Sequence, residues 1–163
     1  MALTAMEILE RCRRAEKEKR RLTEKINMYR ETAGHLTASL DGIGARSTGE
    51  ADHMTTMVAK IDAVERELRQ RDKEYTAEMN AACQLLEALP DLECSIMSRF
   101  YVRGQTVKAI AKDLGYSYGH VSRCKTEAIR RLREMGEGEV MRLLPIWYII
   151  EDEKRSKGKN IKS

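Results

Sequence analysis

The chain has 163 residues, which is enough for one compact domain or two small ones. It contains one Trp, one Phe and two Pro but is rich in Arg, Glu, Lys, Ala, Leu and Met, a composition that favours long exposed helices over β-structure. The net charge of +4 suits a nucleic-acid partner. No two of the four cysteines form a CxxC pair, and no histidine stands at ligand spacing from a pair, so the sequence predicts reduced thiols, no metal site and no cofactor.

The chain begins without a signal-peptide pattern, and its longest apolar run, 143–150, is too short to cross a bilayer. We therefore expect a soluble, cytoplasmic protein that does not enter a membrane.

Two heptad segments fill the first half of the chain. The first, 5–37, carries apolar or small residues at alternating steps of four and three, broken only by Lys19: Ile8, Cys12, Ala15, Leu22, Ile26, Tyr29, Ala33 and Leu36. The second, 51–89, does the same with interruptions at Arg71 and Glu78: Met54, Met57, Ile61, Val64, Leu68, Tyr75, Ala82, Leu85 and Leu89. A glycine-rich connection, 37–50, separates them.

These segments predict a long antiparallel helical hairpin, or coiled coil, as the first domain, 1–89. Residual apolar surface on the two seams favours a homo-oligomer, with a dimer preferred. The basic run 11–21 contains glutamates as well, so we interpret it as a solvated helix face rather than a second DNA contact.

A short helix is expected after the hairpin. Pro90 ends or kinks the second long helix, and Asp91 can cap the next, over 92–102. Ile96 and Phe100 share one face of this helix, and Gly104 has the character of a C′ residue.

The segment 107–126 predicts a helix-turn-helix. Its first helix, 107–114, has Thr106 as N-cap, and its second, from Ser117 as N-cap to about residue 134, follows a turn at Gly115. Ala111 is small where the helices must cross, and Val121 points back into the junction. Apolar contacts are expected from Ile110, Leu114 and Tyr116, and from the stripe Val121, Cys124 and Ala128.

Charge favours DNA as the partner of this unit. Between residues 103 and 133 there are eight basic residues but only two acidic ones, Asp113 and Glu127. The outward face or leading end of the second helix carries Tyr118, Gly119, Ser122, Arg123 and Thr126, which we predict to contact DNA. Lys108, Lys112, Arg130 and Arg131 are the predicted phosphate contacts. The helix-turn-helix domain therefore spans 90–135, in an all-α protein.

The last domain, 136–163, starts with an apolar stretch, 140–150. We expect that stretch to fold back on the core, with a partner-docking surface as the alternative. The charged tail from Glu151 onward is predicted to be disordered.

The run 92–132, LECSIMSRFYVRGQTVKAIAKDLGYSYGHVSRCKTEAIRRL, resembles region 4 of the sigma-70 family. It is closer still to the phage-encoded sigma-like regulators of Gram-positive phages and prophages, of the late-transcription and autolysin-regulator type. The resemblance implies a transcription regulator that binds double-stranded promoter DNA in the cytoplasm of a bacterial host cell, and it leaves contact with RNA polymerase open. It also implies that Ser117, Tyr118, His120, Ser122 and Arg123 face DNA. No segment resembles sigma region 2, which argues against a stand-alone sigma factor.

Two further functions compete with this interpretation. Small terminase subunits, which recognise phage DNA for packaging, also join a helix-turn-helix to oligomerisation helices, although their DNA-binding unit usually comes first. A pure interaction protein is the other. No spacing of residues indicates an active site, so we do not expect an enzyme.

Overall fold

The computed structural model describes residues 3–43 and 48–161, with side chains described for 3–36, 38 and 52–159. This part of the chain is helical and contains no strand. Its helices are α1 (Ala5–Ile43), α2 (Thr48–Leu86), α3 (Asp91–Met97), a π-helical turn (Ser98–Val102), α4 (Val107–Leu114), α5 (Tyr118–Arg133), α6 (Glu137–Leu143) and α7 (Ile146–Ile161). The bounds predicted for the glycine-rich connection, 37–50, are wrong, because α1 continues to Ile43 and α2 begins at Thr48; residues 44–47 lie outside the described residues.

One of two compact units is Lys17–Glu74, where α1 and α2 pair as an antiparallel hairpin. Its core is Leu22, Ile26 and Val64, all positions of the predicted heptads. Lys19, which breaks the first seam, pairs its ammonium with Asp72 at 2.7 Å. The seam therefore keeps a polar position because the facing helix supplies the opposite charge.

The other unit joins the start of α1, up to Glu16, to the chain from Tyr75 onward. Its largest core packs α1 and α2 against helices from the rest of that unit, and the fully buried members include Ile8, Leu9, Leu85, Leu86 and Leu132. Because the end of the hairpin packs within the same core, the contacts divide the chain differently from the predicted boundary at residue 90.

Glu78, which interrupts the second seam, is buried with 5% of its surface exposed. Tyr148 of α7 donates its hydroxyl hydrogen bond to one carboxylate oxygen, and Arg155 donates to the other at 3.2 Å. Arg11 of α1 pairs with Asp152 of α7 at 2.7 Å. Buried carboxylates persist only with such partners, so these contacts explain the polar interruption.

The C-terminal segment differs from the sequence prediction. One side of the apolar stretch folds back, because Val140, Leu144 and Tyr148 are buried in the core. Ile146, Trp147 and Ile150 of the same stretch remain exposed. The predicted disordered tail is instead the continuation of α7 to Ile161. Its contacts with the hairpin are polar ones, through Asp152 and Arg155, which hydrophobicity does not reveal.

Two smaller predictions about helix ends are also settled. Asp91 does not cap α3, because the N-cap is Pro90 and Asp91 is already the first helical residue. Gly104 follows the C-cap Arg103 with a φ of 70°, as expected for a C′ glycine. Within the described ranges, no helix combines the length and the apolar character that spanning a membrane requires.

Candidate nucleic-acid interface

The helix-turn-helix has the predicted caps and turn. The side chain of Thr106 accepts a hydrogen bond from the backbone N–H of Ala109, and Ser117 accepts one from His120, both at 3.1 Å. Gly115 ends α4 with a φ of 74°, a left-handed conformation that glycine adopts without a Cβ clash. These three residues set where α5 begins.

The core between α3, α4 and α5 is small and apolar. It contains Ile96, Ile110, Ala111 and Val121, with Phe100 packed against it. The stripe predicted on α5 spans two cores, since Val121 and Cys124 lie here whereas Ala128 lies in the larger one. Both sets of contacts hold α5 in place along its length.

The prediction that Tyr116 makes core contacts is wrong. Its side chain is 45% exposed, and its ring lies 4.9 Å from that of His120, centroid to centroid. Tyr116 therefore lies at the surface of the turn between α4 and α5. His120 also contacts the sulfur of Cys124 at 3.8 Å, so its side chain lies along the side of α5.

The leading end of α5 is open. Tyr118 is 61% exposed, and Ser117, Arg123 and Thr126 are exposed as well. A Cβ on Gly119 would lie 3.3 Å from a guanidinium nitrogen of Arg123, so the arginine folds back over the glycine. Ser122, one turn after Tyr118, is half-buried. These side chains surround an accessible helix N-terminus, where backbone N–H groups favour anions.

Two tethers fix the helix-turn-helix to its surroundings. Tyr75 of α2 donates its hydroxyl hydrogen bond to the carbonyl of Val102 at 2.8 Å, where the π-helical turn ends. Arg99 lies 3.6 Å from Asp113, which links that turn to α4. The π-helical turn, which the sequence patterns did not predict, thus has partners on both sides.

The predicted phosphate contacts fall into two classes. Lys108 and Lys112 are exposed on α4 and form no ion pair within the described part of the chain. Arg130 is exposed but pairs with Glu127 and Glu134 on its own helix. Those two carboxylates raise the pKa of Arg130, so it stays charged.

Arg131 has a structural role although its side chain is exposed. Its Nε lies 3.3 Å from Oε2 of Glu93 on α3, a residue that is 9% exposed. That oxygen is buried and has no hydrogen bond of good geometry, so the contact is an ionic one. Arg131 therefore neutralises a buried carboxylate whether or not DNA is present.

Sequence patterns missed one cationic pair beside α5. Lys125 of α5 and Arg13 of α1 both lie over the ring of Phe100. Both belong to basic runs noted in the sequence, but only the fold brings them to one ring. Of the described side chains, no group of three or more His, Cys, Asp or Glu could hold a metal ion.

Comparison with known proteins identifies one family. Residues 85–134, from the end of α2 to the end of α5, match the family model described as Sigma-70, region 4. No curated protein and no solved structure matches the chain. The helix-turn-helix part of this chain is therefore similar to region 4 of the sigma-70 family, and the family model does not cover the other helices.

Proposed function

We propose that the protein is a non-enzymatic, sequence-specific regulator of transcription that binds double-stranded DNA through α5. The observation that carries the proposal is the exposed leading end of α5 on a well-packed helix-turn-helix of the sigma-70 region 4 type. In such units the second helix lies in the major groove with its N-terminal residues at base edges. Encoding by a phage or prophage and contact with RNA polymerase rest on the resemblance alone.

The exposed side chains have the chemistry that base reading requires. Arg123 can donate two hydrogen bonds to guanine, whose O6 and N7 are acceptors in the major groove. The hydroxyl groups of Ser122 and Thr126 suit either base type, and the ring of Tyr118 suits a thymine methyl. Arg123 must leave Gly119 to reach a base, which requires only side-chain rotation.

Lys108 and Lys112 supply phosphate contacts in this proposal. Both are exposed and carry charge without an intramolecular partner among the described residues. Phosphate contacts fix the orientation of a protein on DNA but carry no sequence information.

We also propose a homodimer. Met28 and Val58 remain 57% and 56% exposed on the hairpin unit, where an apolar partner surface would cover them. Two copies would read two half-sites, as helix-turn-helix dimers do.

The test compares two kinds of DNA. Arg123→Ala should weaken binding to a selected site by about 1–3 kcal/mol, with a much smaller effect on random DNA, because a base contact is lost. Lys60→Ala, an exposed position on α2, controls for the loss of one positive charge.

Equal losses on both DNAs for Arg123→Ala would contradict the claim that this residue reads bases. If the wild-type protein selected a packaging locus and formed a ring of eight or more subunits, a terminase-like role would replace the regulator.

A further inference from the structure

Two cationic side chains from distant parts of the sequence contact one aromatic ring. The guanidinium carbon of Arg13 on α1 lies 3.7 Å from the centroid of Phe100, and the ammonium of Lys125 on α5 lies 3.9 Å from it. Each contact is favourable, because the ring face is electron-rich. Both residues are only partly buried, although one guanidinium nitrogen of Arg13 is itself buried.

Neither cation has an anionic partner in the described part of the chain. Arg11, two residues before Arg13, pairs with Asp152, whereas Arg13 has one buried guanidinium nitrogen without any hydrogen-bond acceptor. Burial and the charge of Arg13 both lower the pKa of Lys125. The folded protein thus holds two like charges at the same ring, and one guanidinium nitrogen of Arg13 has no acceptor.

The contacts with the ring offset only part of the cost of this arrangement, and a bound anion would offset more of it. Like charges at short range destabilise each other, and an N–H group removed from water without an acceptor loses its hydration. One bound anion would relieve both effects at once. A phosphate group, with several acceptor oxygens and a negative charge, fits this requirement.

The site lies along the helix proposed to read DNA. Lys125 is three residues beyond Ser122 and seven beyond Tyr118, so the three residues share one side of α5. A helix in the major groove has phosphates of the two strands along its flanks. DNA bound to α5 would therefore carry backbone phosphates near Phe100.

We propose that Arg13 and Lys125 form an anion site around Phe100 that binds a backbone phosphate of the DNA contacted by α5. The helix α1, which lies outside the region 4 match, would then take part in DNA binding. This inference rests on the proposed function, but it makes a separate claim about which residues carry the phosphate contact.

The test is the salt dependence of DNA binding by the full chain. The double variant Arg13→Gln/Lys125→Gln should make the negative slope of log K against log salt shallower by about 0.9, the value for one lost phosphate contact. Binding to the selected site and to random DNA should weaken equally, since a phosphate carries no sequence information. The charge-preserving Arg13→Lys/Lys125→Arg should keep the wild-type slope.

Two controls make the outcome decisive. Lys60→Gln removes one exposed positive charge from the other compact unit and should leave the slope unchanged. The single variants Arg13→Gln and Lys125→Gln, measured alongside, give a result if the double variant does not fold.

A purely structural role for the two cations predicts lower thermal stability with an unchanged slope, and that result would overturn the proposal. A loss confined to the selected site would also overturn it. If the wild-type protein bound no DNA at all, the proposed function itself would fail, which is a different outcome from either.

Discussion

Arg130 and Arg131 are neighbours on α5, yet their replacement by alanine should have different effects on folding. Arg130 lies at the surface, and its partners Glu127 and Glu134 are exposed to water. Arg131 faces Glu93, whose side chain is 12% exposed. Truncation of Arg131 leaves that carboxylate buried and unpaired, whereas truncation of Arg130 leaves only hydrated carboxylates.

The expected magnitude follows from the geometry. An unsatisfied buried polar group costs about 1–3 kcal/mol. The lower end of this range applies, because Arg131 is itself 47% exposed and the contact lacks a good hydrogen bond. We expect Arg131→Ala to lower the free energy of unfolding by about 1 kcal/mol, which shifts a urea midpoint by about 0.5 M for an m-value near 2 kcal/mol/M. Arg130→Ala should not shift the midpoint.

Fluorescence of Trp147 provides the assay, because it is the sole tryptophan and belongs to the same compact unit as α5. Glu93→Gln removes the charge that Arg131 neutralises, so the double variant with Arg131→Ala should recover most of the lost stability. Both arginine variants should weaken selected and random DNA alike. Identical urea midpoints for the two single variants would refute the assignment of Arg131 to Glu93.

Three further predictions concern other parts of the fold. Tyr148→Phe removes one donor from the buried carboxylate of Glu78 and should lower the free energy of unfolding by about 1.5–3 kcal/mol, measured by urea unfolding. A loss below about 0.5 kcal/mol would show that this hydrogen bond contributes little. Burial raises the pKa of the Cys12 thiol to about 12, so below that pH Cys12 should resist alkylation until the protein unfolds, while the exposed Cys83 reacts first. Mass spectrometry after a pulse of iodoacetamide measures the order of labelling. Early labelling of Cys12 would be inconsistent with the packing of α1. Gly115→Ala should cost about 1–2 kcal/mol through its positive φ alone, since a Cβ there meets no atom within 4 Å; an unchanged thermal midpoint would contradict this backbone argument.

Local signals in the sequence predicted the helix-turn-helix well. Thr106 and Ser117 satisfy backbone N–H groups three residues later, and Gly115 supplies the left-handed turn. These features depend on residues within a few positions of each other, which is why the pattern alone located them. The heptads were equally informative, because burial of Cys12 and Leu85 follows directly from their spacing.

The wrong predictions for the second seam and for the tail involve partners distant in sequence. The sequence shows Glu78 only as an interruption of the heptad pattern, because its partner Tyr148 lies 70 residues later in the chain. The tail reads as disordered because Asp152 and Arg155 are polar, although both contact the hairpin. A pattern of hydrophobicity cannot show that a charged side chain is held by another charge.

The same limit applies to the candidate site. The sequence singled out Arg130 and Arg131 together, but it could not show that Glu93 holds only the second. It also treated the basic run containing Arg13 as a solvated face, since the approach of that residue to Lys125 across Phe100 depends on the packing of α1. Charge counts indicate a DNA-binding unit without showing which charges are free to bind.

The central claim is that α5 reads base sequence, and selection from a random DNA pool tests it most directly. The purified wild-type chain, at near-physiological salt, should enrich one motif, and Arg123→Ala should abolish the preference at one position of that motif while leaving the rest. Recovery of no motif, with binding that disappears as salt is raised, would contradict the claim, because only phosphate attraction behaves in that way.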